Sequence, residues 1–156
     1  MNLLFKSVLV TLILIPIVTF SQENKESKTE SEIVKEVVLD AYINGAFNEL
    51  DADAMKNGFH EDFDMMWVKN DSLVKYSLSD WITQVNRRKA SDYDPKDPKN
   101  VRECTFVNID ITGGVAAVKI ELRNQGRLIY TDYLTLLKFE SGWEIVSKVF
   151  NYHKKE

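Results

Sequence analysis

A single cysteine, Cys104, rules out an intrachain disulfide. The fold must therefore be held by its core and, where copies associate, by their interface. Two histidines, His60 and His153, and scattered carboxylates form no cluster with metal-ligand spacing. No metal and no cofactor is expected. Lys and Arg total 20 against 24 Asp and Glu, a net charge of −4, with no basic stripe to neutralise a phosphate backbone. Nucleic acid is not an expected partner. Nor is there a glycine-rich phosphate loop, a Gly-x-Ser-x-Gly elbow or a Ser-His-Asp arrangement, so hydrolase chemistry has no foothold.

The apolar run from Val8 to Phe20 falls short of the ~20 residues needed to cross a bilayer. Lys6 precedes it, and the small residues Thr19 and Ser21 close it. Residues 1–21 are expected to be a secretory signal peptide cleaved before Gln22, which would place the mature protein in the periplasm or outside the cell. No cysteine follows the run, which disfavours a lipid anchor, and no stable membrane anchor should remain after cleavage. Gln22 to Ser31 is polar and without periodicity, as in a flexible leader. The remainder, 32–153, is of single-domain size.

From Glu32 the pattern turns helical, with Ile33, Val37 and Ala41 on one stripe and Val34, Val38 and Tyr42 beside it. That helix should reach about Phe47. A second, short helix is expected between Asp51 as N-cap and Gly58 as stop. Phe59 to Lys69 reads as an irregular passage into a strand. Ser77-Leu78-Ser79-Asp80 has the form that caps a helix, and Trp81, Ile82 and Val85 follow at helical spacing. Lys89 to Asn100 is a loop. After Val101 the period falls to two, giving four strands in an antiparallel meander. The order predicts an α+β fold with N-terminal helices packed on the concave face of a curved, mainly antiparallel sheet.

The last hairpin is apolar on both faces. With Ser141 and Gly142 as a two-residue loop, Tyr133, Thr135 and Leu137 share a face with Val146, Lys148 and Phe150. Leu134, Leu136, Ile145 and Val149 take the other. The first face is expected to line a cavity, and the second to form a homodimer interface.

Thr131-Asp132-Tyr133-Leu134-x-Leu136-Leu137-Lys138, followed by Trp143-x-Ile145-Val146-x-Lys148-Val149-Phe150, is the most specific signature. Together with the helix bearing Tyr42, the Phe59-His60 pair and the Ser77 to Trp81 helix start, it resembles the branch named Putative lumazine-binding in the nuclear transport factor 2-like superfamily. The resemblance implies a cone-shaped fold with a pocket between sheet and helices, often dimeric through the outer sheet face. Ketosteroid isomerases and the SnoaL-like polyketide cyclases share this superfamily. An ungapped match puts Tyr42 where the isomerases keep their hydrogen-bonding tyrosine. The isomerase base position falls near Trp67 and the protonated acid at Thr135, so that mechanism lacks its carboxylates.

Candidate ligand-binding residues are Tyr42, His60, Trp81, Tyr133, Thr135, Lys148 and Phe150. Lys148 would anchor an anionic or carbonyl-bearing ligand, or else lay its stem along the wall and pair with a carboxylate. His60 could move a proton near neutral pH, or simply hold its loop. Asp132 is expected in an ion pair on the outer face, and His153 to be incidental at a frayed end. Phe47, Phe59, Phe63 and Trp67 are expected in the core. The leading expectation is an exported small-molecule-binding protein without a catalytic set. The alternatives are a cyclase or isomerase using His60 or Lys148 as base, and an interaction module with a filled cavity.

Overall fold

The structure, a computed structural model, describes residues 28–154. The expected signal peptide lies outside the described residues, as does the leader up to residue 27.

Helix α1 (Glu30–Val37) begins at a reciprocal cap, in which the Thr29 hydroxyl accepts from the Glu32 amide and the Glu32 carboxylate accepts from the Thr29 amide. Such a cap stabilises a helix by about 1 kcal/mol. The helix therefore begins at Glu30, with its cap at Thr29, inside the expected leader. Lys28 pairs with Glu36 and strengthens this start.

The same helix widens into a π-helical segment, Val38–Asn48, instead of continuing at the α period. Val38, Ala41, Tyr42, Ile43, Gly45 and Ala46 are all buried there, because the segment is packed by the two helices that follow it and by the sheet. Val38, Ala41, Tyr42, Gly45 and Ala46 follow the spacing of a single helical stripe, and Ile43 widens it.

Helix α2 (Ala52–Gly58) is capped by Asp51, whose carboxylate accepts from the amides of Asp53 and Ala54. Gly58 serves here as a contact point. A Cβ on it would lie 2.4 Å from the Ala41 Cβ, so only glycine lets the two helices approach this closely. Helix α3 (Leu78–Lys89) starts at Ser77, whose hydroxyl accepts from the Asp80 amide, as its sequence predicts.

Six strands form one sheet in the order β2-β1-β6-β5-β4-β3. They are β1 (Phe59–Lys69), β2 (Ser72–Ser77), β3 (Glu103–Thr112), β4 (Val115–Asn124), β5 (Arg127–Phe139) and β6 (Gly142–Tyr152). The meander β3 to β6 is antiparallel as expected. Strand β1 is a full strand, parallel to β6, and forms a hairpin with β2, an element the periodicity does not reveal.

The β5–β6 register differs from the expected one in two ways. Phe139 pairs with Gly142, so the loop is Glu140-Ser141. That shift preserves which residues share a face. The second difference does not: Leu136 pairs with Ile145 and Thr135 with Ser147, leaving Val146 as a bulge. One extra residue reverses the alternation beyond it. Lys148 and Phe150 thereby join the face of Asp132, Leu134 and Leu136.

This is the inner face. Leu134, Leu136 and Ile145 are fully buried in the core, so they cannot form the outer contact expected of them. Val149 does lie outside, 47 % exposed. Tyr133, expected in the cavity, is also on the outer face and half exposed, with the Lys119 amine 5.4 Å from its ring centroid. Thr135 pairs with Ser147 on that same outer side.

His153 is held rather than frayed. Its amide donates to the Ile129 carbonyl and its ring nitrogen lies 2.9 Å from the Thr131 hydroxyl.

Candidate functional site

The inner sheet face, the π-helical segment and α3 enclose a cavity of about 270 Å³. Phe47 comes from the π-helical segment, Trp81 from α3, Met65 and Trp67 from β1, Tyr76 from β2, Tyr130 from β5, and Lys148 and Phe150 from β6. Lys148 is the only charged residue among these eight. The rings meet at angles rather than in stacks: Trp67 and Phe150 have centroids 5.9 Å apart at 46°, and Tyr130 and Phe150 5.7 Å apart at 81°. Walls set at such angles offer both ring faces and ring edges to an aromatic ligand.

Lys148 supplies the polar end of the cavity and is 4 % exposed. Its amine donates to the Tyr42 hydroxyl, which donates in turn to Oδ2 of Asp132 at 2.5 Å. The amine lies 3.3 Å from the same carboxylate oxygen. Tyr42 and Asp132 are fully buried. Around the amine stand four ring centroids, Tyr42 at 4.5 Å, Phe150 at 5.0 Å, Trp81 at 5.6 Å and Tyr130 at 5.9 Å.

Burial draws the Lys148 pKa below that of an ordinary lysine, with the Asp132 charge opposing. Burial, reinforced by the Asp132 charge, pushes the Tyr42 phenol well above the usual tyrosine value. Oδ1 of Asp132 has no partner among the described residues. Such an orphaned acceptor costs stability unless a water or ligand donor reaches it.

Of the candidates named from sequence, Trp81, Lys148 and Phe150 line the cavity, and Tyr42 lies one hydrogen bond behind its wall. Tyr133 and Thr135 are on the far side of the sheet. His60 is also elsewhere. It stacks on Phe139 at 4.9 Å and accepts from the Asp62 amide through Nδ1, which leaves it holding the start of β1.

Asp132, expected on the outer face, is the central acid of the site. It also corrects the comparison with the isomerases: a carboxylate does meet Tyr42, at Asp132 and not at position 135, and it accepts the tyrosine's hydrogen bond beside an ammonium. Phe47 and Trp67, expected as core, are cavity walls. Met65, Tyr76 and Tyr130 join them unannounced, although aromatic and methionine side chains on three separate elements are a signal of a lined slot.

The Putative lumazine-binding family model matches residues 29–151. The chain belongs to that family. Among solved structures it is similar to a nuclear transport factor 2-like protein of unknown function from Shewanella baltica, with a TM-score of 0.64 and 23 % identity over 83 % of this chain and 100 % of that one. It is also similar to one from Silicibacter pomeroyi, with a TM-score of 0.61, 19 % identity, and 81 % and 100 % of the two chains covered. A third, from Methylobacillus flagellatus, has a TM-score of 0.59 and 26 % identity, covering 83 % and 97 %. Comparison with curated proteins found no match.

This member of the Putative lumazine-binding family thus has the superfamily's helix-on-curved-sheet architecture. A second, more open cleft between the first helix and α2 carries Glu36, Asp40 and Glu49. It has no cation, no aromatic wall and no buried polar group, and the cavity at Lys148 is the better-built site.

Proposed function

We propose that this protein binds a small, flat, partly aromatic molecule without covalent change, with a carbonyl or anionic oxygen of the ligand facing Lys148. The observation that carries this reading is the lone buried amine at the end of an aromatic cavity. An ammonium has three donors. Tyr42 engages one, Asp132 balances the charge from 3.3 Å, and a remaining donor can meet a ligand oxygen. The volume lies just below the usual range for small-molecule sites, which suits one or two fused rings. A lumazine, the ligand in the family's name, has this shape and carries ring carbonyls.

Export and pairing belong to the same proposal. Export is supported by the character of residues 1–21. A homodimer through the outer sheet face is supported by the row Met66, Val149, Tyr133 and Lys119, adjacent across four strands. This row replaces the leucines named from sequence.

The test is calorimetric titration of the purified protein with lumazine and with a panel of small aromatic acids and cyclic amides. Saturable binding to the wild type, weakened at least tenfold by Trp67→Ala with the fold retained, supports the reading. It is overturned if no panel member binds or shifts the melting temperature.

A further inference from the structure

Lys148, Tyr42 and Asp132 form a continuous chain in which Nζ donates to Oη and Oη donates to Oδ2. One end lines the cavity. The other is a carboxylate that solvent does not reach. Moving each proton one place along the chain, Nζ to Oη and Oη to Oδ2, yields a neutral amine and a neutral carboxylic acid. Tyr42 is uncharged in both states. No net charge enters or leaves the core, so this shift avoids the desolvation penalty that removing a single proton would incur. Burial itself favours the uncharged pair.

We propose that Lys148 is a nucleophile that captures small aromatic aldehydes or ketones as a reversible imine in this cavity. The proposal rests on the ligand-filled cavity of the binding reading above, adds to it a covalent step for carbonyl compounds, and names these as the ligand class. In the shifted state the neutral amine turns about its Cε–Nζ bond, releasing its lone pair from the Tyr42 hydroxyl, and that pair attacks the carbonyl carbon. A C–N bond forms, the carbonyl π pair moves to oxygen, and one N–H proton follows it to give a carbinolamine. The C–O bond then breaks, the oxygen leaves as water with the second N–H proton, and the nitrogen pair closes the C=N bond.

The proton parked on Asp132 returns through Tyr42 to the imine nitrogen. The product is an iminium beside a carboxylate, within the same ring of aromatic faces that surrounds the ammonium. No oxidant or reductant is required. Asp132 and Tyr42 act through Lys148 and are positioning and proton-holding residues.

The experiment treats the purified protein with benzaldehyde and cyanoborohydride, then maps benzylated lysines by digestion and mass spectrometry. The expected result is adduct concentrated at Lys148 while exposed lysines such as Lys28 and Lys99 stay largely unlabelled. Tyr42→Phe, which keeps the ring and cuts the chain, should label Lys148 on the order of a hundredfold more slowly. Labelling spread across lysines according to their exposure overturns the proposal, and this wild-type readout decides even if Tyr42→Phe fails to fold. An unchanged rate in folded Tyr42→Phe overturns the proton chain. Benzyl alcohol separates the two readings: if it binds while benzaldehyde leaves Lys148 unlabelled, imine formation fails and non-covalent binding stands. If neither compound binds or labels the cavity, both fail.

Discussion

The Lys148 amine lies 3.3 Å from Oδ2 of Asp132, in a place where both side chains are withdrawn from solvent. Burying each charge costs several kcal/mol, and what sustains the pair is the attraction between them together with the Tyr42 hydroxyl. Removing one partner should therefore be worse than removing both. Lys148→Met and Asp132→Leu are each expected to destabilise the protein by about 3–5 kcal/mol. The double variant should lose far less than the sum. Urea unfolding of the four proteins as a double-mutant cycle checks this, and additive losses would mean that the two charges are independent.

Tyr42→Phe leaves the ion pair in place but removes the hydroxyl that bridges it. A cost of about 1–3 kcal/mol is expected, the usual penalty for stranding buried hydrogen-bonding groups. Thermal and urea melts measure it directly.

The sheet's two faces should respond in opposite ways to a new charge. Leu136→Glu places a carboxylate in the core and is expected to abolish folding. Val149→Glu, on the outer face, should leave the circular dichroism spectrum unchanged. In the proposed dimer it should also shift sedimentation from dimer to monomer.

Burial pushes the Cys104 thiol up to about 12, with the Asp132 charge contributing. At pH 8 the native thiol should react with iodoacetamide far more slowly than the unfolded chain does. The sign of the stability effect follows from the raised value. Protection is complete below the unfolded pKa of about 9 and is lost as pH rises from there through about 12, because the unfolded chain releases the thiol proton first. Stability measured from pH 8 upward should fall, and Cys104→Ala should flatten part of that fall.

Gly58→Ala brings a methyl group against Ala41. Since the obstruction is a Cβ on a packed helix and not the end of a flexible side chain, relief requires the helices to part. The expected cost is about 1–3 kcal/mol, read from the shift in urea midpoint.

How much of this was legible in the sequence depends on the length scale of each signal. Local signals carried well: Asp51 and Ser77 cap the helices they precede, and the period-two segments after Val101 became the meander. The resemblance in the last hairpin identified the architecture. The site was less legible, for one physical reason. Alternation assigns faces correctly only along an unbroken ladder, and the bulge at Val146 breaks it between Ile145 and Lys148. Leu134, Leu136 and Ile145 do share one face, as alternation requires. Only the bulge brings Lys148 to that face and so into contact with Asp132. No glycine or proline in the segment announces it, and β2 was hidden because none of its six residues is buried.

The most direct test of the binding account is a crystal structure of the protein soaked with lumazine. The account predicts density for the ring system among Trp67, Tyr76 and Phe150, with a carbonyl oxygen about 2.7–3.2 Å from the Lys148 amine. A cavity filled by its own side chains, with the ligand absent at saturating concentration, would contradict it.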